Sequence, residues 1–554
     1  MSYASVKRVL IGAPFPSSAE LHERLDKVRA LAVFASDPIS SNAYATEAIM
    51  SVLILLGSGA LAMTMPIAIG IALLILLVIF SYVQTIMHYP GGGGAYTVAK
   101  DNLGTMPSLF AAGALLTDYV LTVSVSVSAG IRALTSAFPV LFNYRLELAL
   151  VAIVLLTWVN LRGVRESGTV FALPTYAFVG GVMLVIAIGM VRYFGLFGVT
   201  PLERHALHIE PQHSFTGFAY LWLILRAFAG GCTALTGIEA ISNGVQAFKP
   251  PESVNANKTM VWMGVMAMTL FIGISFLATH LAIVPAVEDS VLSQMTRLVA
   301  GNGIIYYWVQ FFTMMILVLA ANTGYQDFPR LSSFLARDGF LPRWMQNRGD
   351  RLVFSSGILV LALLASILII IFRADEIAML PLYALGVMLS FTLSQLGMVR
   401  LMGKVSKVPP GEEVHTNATV IHYESGWWWK RALNSVGAVT TAIVFVVLVV
   451  TKFVDGAWII AIAIPLIVLG LRMIHDHYVA VAEALRTRDL SPSNLEEIAD
   501  VAIVPIADVH RGTLRAIKYA KRISSNVRAV CVITSESQKE RLERRWNRFP
   551  TLTQ

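Results

Sequence analysis

Apolar residues run along this chain in blocks of about twenty, the length that crosses a hydrocarbon core of about 30 Å. Twelve blocks of this kind are predicted, at about 31–56, 61–85, 108–138, 146–162, 169–192, 219–245, 259–284, 303–328, 353–372, 376–399, 433–451 and 456–474. A water-soluble chain has no way to hide so many unbroken apolar runs, so the solvent for this part is a bilayer. Polar residues take over at both ends. Residues 1–30 read as a polar lead-in with some helical character, 31–475 as the twelve-helix membrane domain and 476–499 as a linker. From 500 to 554 the pattern changes again. Val501-Ala502-Ile503-Val504-Pro505 reads as a buried strand, 513–524 as a helix and 527–533 as a second strand, the opening of a parallel α/β unit. One such unit cannot cover both faces of its sheet. The domain is therefore expected to be incomplete within this sequence, or to complete itself with a partner chain.

Composition agrees with the pattern. Hydrophobic residues make up 56% of the 554 residues and charged residues 14%, against about a quarter charged in ordinary soluble proteins. The two cysteines, Cys232 and Cys531, offer neither a disulfide framework nor a metal-binding pair. No cleaved signal peptide is expected at the N-terminus. The net charge of +8 would suit nucleic acid, but its placement tells a different story. Basic residues gather before the first block (Lys7, Arg8, Arg24, Lys27, Arg29), after the eighth (Arg330, Arg337, Arg343, Arg348, Arg351) and after the tenth (Arg400, Lys404, Lys407, Lys430, Arg431). The alternate loops carry only scattered ones: Arg145, Arg204, Arg297, Arg373 and Lys452. By the positive-inside rule both termini are cytoplasmic and the protein sits in the cell inner (plasma) membrane.

Two blocks are broken. The first is interrupted at Ser36-Asp37-Pro38-Ile39-Ser40-Ser41 and the sixth at Gly230-Gly231-Cys232-Thr233-Ala234-Leu235-Thr236-Gly237. Interrupted helices in corresponding positions of two halves point to a transporter built from inverted repeats, with its binding site at the breaks. Two repeats of five spans leave the last two outside the core. Irregular backbone at membrane depth is tolerated only where it lines a cavity or is buried in protein.

The candidate chemistry clusters at these breaks. A carboxylate in mid-membrane needs a cation or a hydrogen-bonded partner, and Asp37 is the sharpest such residue. Its plainer role would be an N-cap ahead of Pro38. Tyr44 lies two turns further along the same face, where its phenol either meets a cation or simply packs. Glu47 follows one turn later. In the third block Asp118, Thr122 and Ser126 fall at i, i+4 and i+8 and line one stripe, a set of hard oxygens suited to an alkali cation. Hydrogen bonding between helices is the plainer role for the two hydroxyls. Thr233 and Thr236 flank the second break and Glu239 follows it; Glu239 is either a proton carrier or a structural acid paired with a helix end or with Arg226. Arg132 and Arg226 are expected to snorkel or to pair. Gly91 to Gly94 reads as a hinge or close-packing turn, because neither a Lys-Ser pair nor a preceding strand supports a phosphate loop.

Taken together, these segments resemble the amino acid–polyamine–organocation superfamily, and within it the KimA-type bacterial potassium importers, relatives of the Kup transporters. The stretches that carry the resemblance are Ala35 to Glu47, Tyr89 to Tyr96, Thr117 to Ser126, Gly231 to Asn243 and Ala320 to Ser333. Pro38 departs from the small residue frequent in relatives. The resemblance implies an all-α polytopic fold, a LeuT-like 5+5 inverted repeat with two extra helices, and an attached α/β domain similar to universal stress proteins. It implies secondary transport of potassium with protons, a homodimer, and regulation by cyclic di-AMP or another nucleotide. Ion-binding positions implied are Asp37, Tyr44, Asp118, Tyr119, Thr122, Ser126, Thr233 or Thr236, and Tyr383. Asp37, Asp118 and Glu239 are the expected proton carriers. Potassium and protons are substrates, and neither an enzyme activity nor a cofactor is expected. The alternative is a proton-coupled amino acid or amine permease. An amino acid importer would place a glycine-rich break against the substrate carboxylate, whereas Asp37 repels an anion and attracts a cation. A receptor or scaffold that transports nothing would have little use for acids beside two helix breaks.

Overall fold

The computed structural model describes residues 24–162, 168–198, 209–210, 217–286, 288–349, 353–416, 418–486, 501–533 and 536–550. Most of the expected lead-in over 1–30 and of the linker over 476–499 lies outside them. The chain forms two compact units, residues 1–477 and 478–554. The first is a helical membrane body. Among the described residues, nine helical stretches are long and apolar enough to cross a membrane, the last of them running from Trp427 to Ala484. Two shorter apolar helical stretches, Asn42–Leu56 and Ser355–Ile371, accompany them.

The first predicted block becomes three pieces: α1 (Lys27–Phe34), α2 (Ser36–Ser40) and α3 (Asn42–Leu53). Asp26 caps α1, its carboxylate accepting from the backbone N–H groups of Val28 and Arg29 at 3.0 Å each. There follow α4 (Thr64–His88), α5 (Gly94–Asn102), α6 (Thr105–Ala137), α7 (Arg145–Leu161) and α8 (Gly168–Phe194). The sixth block yields α9 (Phe218–Gly231) and α10 (Ala240–Asn243). The remainder is α11 (Glu252–His280), α12 (Val291–Ala300), α13 (Ile304–Arg337), α14 (Ser355–Ile371), α15 (Glu376–Val405), α16 (Trp427–Lys452) and α17 (Trp458–Ala484).

Helix α6 is the spine of the body, buried along nearly its whole length. Helices pack this closely in lipid where small residues let backbones approach. A Cβ on Gly324 of α13 would stand 2.9 Å from the Tyr119 carbonyl oxygen, and one on Gly386 of α15 2.7 Å from that of Ala114. Two glycines thus let α13 and α15 clasp α6. The polyglycine loop between α4 and α5 makes a third close approach. Gly92 and Gly94 both adopt positive φ, and a Cβ at either would strike Asn243 at the end of α10, at its carbonyl oxygen (2.7 Å) or its Oδ1 (1.9 Å). Of the two roles read for this loop, the structure selects close packing. The outward faces are apolar. On α16, Val436, Val439, Ile443, Val446 and Val450 form an exposed stripe.

Between α15 and α16 the chain makes a hairpin of two short antiparallel strands, β1 (Glu413–His415) and β2 (Val420–His422). Three-residue strands leave too little alternation to be seen in sequence. The turn at Thr416 is tied down by its hydroxyl, which donates to Asp101 at 2.9 Å, and Thr419 donates to the His88 carbonyl. Just beyond, Glu424 lies 3.2 Å from the His88 ring and pairs with Lys430. The second unit holds β3 (Val501–Pro505), α18 (Arg511–Ile523), β4 (Asn526–Val530) and α19 (Glu536–Trp546), with β3 and β4 parallel and Val501 opposite Asn526. Both strands alternate between exposed and half-buried residues. The buried strand read at 501–505 is therefore corrected to a half-buried one: α18 covers one face through Thr513, Ile517 and Ala520, and no described element covers the other.

Glu424 makes the hairpin region sensitive to acid. The His88 ring beside it and the Lys430 ammonium pull its carboxyl from the ordinary 4.5 down to about 2. A depressed carboxyl stabilises the fold above its ordinary value and loses that contribution as pH falls toward the native value. Glu424→Gln is therefore expected to lower the melting temperature in detergent at pH 7. The gap from the unmutated protein should close between pH 4.5 and about 2. A pH-independent gap would sever the link.

Candidate functional site

The first interruption is a turn of helix set off at both ends rather than an unwound stretch. Ala35 (ψ −4°) separates α1 from α2, and Ser41 separates α2 from α3. Side chains hold the turn's carbonyls. The Ser40 and Ser41 hydroxyls donate to the Asp37 carbonyl at 2.9 and 3.1 Å. The Asn42 amide reaches the carbonyls of Pro38 and Ile39 at 3.2 and 3.0 Å. These bonds replace water, which is missing at membrane depth. The Asp37 carboxyl caps no helix end, since the N-cap position of α2 is Ala35. Its hydrogen-bond partner is the Tyr383 hydroxyl on α15, which donates to Oδ1 at 3.5 Å.

The second interruption is sharper. After α9 the chain makes a 3₁₀ turn over Cys232–Leu235, extends at Thr236 (ψ 144°) and reverses at Gly237 (φ +79°) before α10. Residues 230–237 were read as the break; the α-helix stops at Gly231 and resumes at Ala240, so the interruption runs from Cys232 to Glu239, with its extended and left-handed residues at Thr236 and Gly237. Thr233 donates to the Gly230 carbonyl at 3.0 Å and Thr236 to the Thr233 carbonyl at 2.8 Å. The Thr236 hydroxyl also meets that of Ser41 at 2.9 Å, and Ser41 meets the Tyr44 hydroxyl at 3.0 Å. A Cβ at Gly237 would lie 2.6 Å from the Asp37 carboxyl. The two interruptions therefore meet face to face, with glycine demanded at 237 both by its backbone and by the acid opposite.

From α6, Thr122 donates to the Tyr383 hydroxyl at 3.0 Å. Thr122, Tyr383 and Asp37 form one chain; Thr236, Ser41 and Tyr44 form another beside it. All six are buried. Asp118, one turn before Thr122, is buried within electrostatic range of Asp37 and Glu239. Asp118 Oδ1 and Glu239 Oε2 have no hydrogen-bond partner among the described residues. Glu239 is not paired with Arg226, which correctly paired elsewhere: its guanidinium grips Asp455 at 2.7 and 2.6 Å.

Two expected site residues stand apart. The Tyr119 hydroxyl accepts from the Asn243 amide at 2.7 Å, at the end of α10 and away from the Thr122 stripe. Neighbours in sequence point some 100° apart on a helix of about 3.6 residues per turn, so Asp118 and Tyr119 serve different faces. Ser126 is buried without a hydrogen-bond partner among the described residues, and nothing joins it to the Asp37 cluster. Thr233 enters only through its carbonyl. One acid was overlooked. Asp327 on α13 is 2% exposed, lies within range of Asp37 and Glu239, and keeps Oδ2 unpartnered among the described residues. Arg330, 3.5 Å from its Oδ1 one turn on, makes the pair look in sequence like an ordinary helix-surface salt bridge.

The site is thus a buried cluster of hydroxyl and carboxylate oxygens. Among the described residues no three His, Cys, Asp or Glu side chains gather as a transition-metal site would require. Oxygen ligands that replace a hydration shell suit an alkali cation, as carbonyl rings do in potassium filters.

Comparison with known proteins places this architecture. Residues 25–471 match the amino acid permease family model, and residues 498–552 match the KimA potassium transporter C-terminal domain. The chain is 41% identical over 544 residues to the potassium transporter KimA of Bacillus subtilis, covering 98% of this chain and 86% of that one. It is 23% identical over 267 residues to the low-affinity putrescine importer PlaP of Escherichia coli, covering 48% of this chain and 57% of that one. A crystal structure of a manganese transporter mutant from Eremococcus coleocola superposes with a TM-score of 0.42 at 11% identity, over 86% of this chain and 98% of that one. These relatives are transporters rather than enzymes. By its membrane domain and its C-terminal segment alike, the chain belongs to the amino acid permease family, among its KimA-type members.

Proposed function

We propose that this protein imports potassium together with protons by alternating access, binding the ion where the two interrupted helices meet. The observation that carries the reading is the Asp37 carboxyl wedged between Gly237 and the Tyr383 hydroxyl, with the hydroxyls of Thr122, Ser41, Thr236 and Tyr44 in linked chains around it. An ionised carboxylate at that depth is costly unless a cation or proton accompanies it. The 41% identity to KimA, a potassium transporter, supports potassium as the cation. Asp37, Asp118 and Glu239 are the proton carriers of this reading, because each is a buried acid that forms no ion pair among the described residues. Counting the two shorter apolar helices, and α16 and α17 separately, the membrane domain has twelve spans: a 5+5 inverted repeat plus two. The basic residues flanking them put both termini in the cytoplasm of a plasma-membrane protein. Homodimerisation and control by cyclic di-AMP belong to the same proposal, supported by the match over residues 498–552.

A second reading is an amine permease. The acids at the site suit an ammonium group, and a putrescine importer is among the relatives. Competition decides between them: excess putrescine should leave potassium uptake unchanged if the first reading holds.

The test is rubidium or potassium uptake into proteoliposomes, with and without an inward proton gradient. The gradient should stimulate uptake. Asp37→Asn should reduce it about tenfold or more, since interactions with a charged group are worth about 1.5–3 kcal/mol. Asp118→Asn at full proton-coupled rate would remove Asp118 from the proton path. No potassium uptake, with labelled amine exchanged instead, would overturn the cation assignment.

Gly237→Ala tests the geometry itself. The left-handed backbone alone should cost about 1–2 kcal/mol, and the new methyl displaces the Asp37 carboxyl. A lowered melting temperature together with lost uptake is expected. An alanine variant that melts and transports like the parent would show that the two breaks need not touch.

A further inference from the structure

Away from the central site the body holds one buried ion cluster that neither transport residues nor capping explains. Arg132 on α6 donates from Nη2 to Glu47 on α3 and from Nη1 to Glu376 on α15, both at 2.6 Å, and from Nη2 to the Ala286 carbonyl at 2.5 Å. The second Glu47 oxygen accepts from the backbone N–H of Val291 at 3.2 Å. Arg132 is 8% exposed, Glu47 1% and Glu376 3%. Of the two roles expected of Arg132, snorkelling or pairing, the structure shows pairing, in a desolvated triad with Glu47 and Glu376.

Its level in the membrane follows from arithmetic on the helices. Thr122, Tyr383 and Asp37 touch in the central site. Arg132 lies ten residues after Thr122, Glu47 ten after Asp37, and Glu376 seven before Tyr383. At 1.5 Å per residue all three are displaced by roughly 10–15 Å, and to the same side, because α15 runs opposite to α3 and α6. The triad is a plug one layer above the site. By the basic-residue pattern that side is the outside. A cavity of about 110 Å³ adjoins it, lined by Ser128, Arg132, Thr135, Arg145, Asp375 and Glu376 among others. At about 30 Å³ per water this holds a few waters or a partly hydrated ion.

Charge says what the plug replaces. Two carboxylates face one guanidinium, leaving one negative charge in excess, while Arg145 and Asp375 on the cavity wall offset each other. A guanidinium that is neither in the site nor at the lipid interface stands where an entering cation must pass. We propose that Glu47 and Glu376 form an outer collecting site for a potassium-sized monovalent cation, which the Arg132 guanidinium fills whenever the entrance is closed. Opening parts α3, with Ala286 and Val291, from α6 and α15. Arg132 then retains one carboxylate and the arriving ion takes the other. This rests on the import direction and orientation proposed above, and adds to them a site on a different layer from Asp37.

The test uses the full chain in whole cells, with Cys232→Ala, Cys531→Ser and a reporter at Ser128→Cys on the cavity wall. The readout is labelling by a membrane-impermeant maleimide, with potassium replacing N-methylglucamine outside at constant ionic strength. Potassium should speed labelling in the parent, because it competes with Arg132 for the carboxylates. Glu47→Gln combined with Glu376→Gln should abolish that dependence. Arg132→Gln should label about tenfold faster than the parent at any potassium level, an equilibrium shift of about 1.4 kcal/mol. Where Arg132→Gln does not reach the membrane, Glu376→Gln alone, which keeps the Glu47 pair, should give an intermediate rate. Labelling indifferent to potassium and to these variants overturns the collecting site, even where the same cells take up rubidium. Labelling that behaves as expected without rubidium uptake overturns the transport reading and leaves the entrance site standing. Reaction confined to inside-out vesicles overturns the outer placement.

Discussion

A carboxylate cannot rest in a bilayer's interior without a partner, and the organisation of this protein follows from where Asp37 finds its own. The acid is met by what the fold brings to it: the Tyr383 hydroxyl donates to it, and Gly237, having no side chain, leaves the space its carboxyl fills. That contact requires two helices to depart from regular geometry at the same level. The freed carbonyls of the first are answered by Ser40, Ser41 and Asn42, and those of the second by Thr233 and Thr236. The serines and threonines around the breaks thus satisfy backbone as well as forming the pocket.

Around this contact the helices are arranged in layers. Helix α6, clasped through Gly324 and Gly386, supplies a residue at each level: Tyr119 toward the end of α10, Thr122 to the central site, and Arg132 to the outer triad. The polyglycine loop seats Asn243, and through it Tyr119, on the opposite side from the triad. Each layer ties the interrupted helices to the same spine.

Much of this was legible from residues alone, because lipid makes polar residues conspicuous. Asp37, Asp118 and Glu239 stood out against apolar runs, and proline and glycine marked both breaks. What stayed hidden depends on contacts far apart in the chain. Arg132 meets partners 85 and 244 residues away, and no local pattern distinguishes that triad from a snorkelling arginine. Asp327 was masked by Arg330 one turn away, a spacing typical of solvated helix faces. Ser126 lies on the stripe by its i+8 spacing, but no hydrogen bond among the described residues joins it to the Asp37 cluster. Tyr119, next to Asp118 in sequence, faces Asn243 instead, adjacency in sequence being separation on a helix. In the C-terminal unit the strands were visible by composition, and the limit of one α/β unit already implied a sheet face left uncovered; what the apolar run did not show is that its residues stay half-buried or exposed.

The account's central claim is that the meeting of the two interruptions is the cation site. The most direct measurement is a structure determined with rubidium or thallium in place of potassium, locating the ion by its anomalous signal or density. The account expects the heavy cation within ligand distance of the Asp37 carboxyl and the Thr236 and Tyr383 hydroxyls, with that peak absent in Asp37→Asn. A fully occupied ion elsewhere in the membrane body, with nothing beside Asp37, would contradict it.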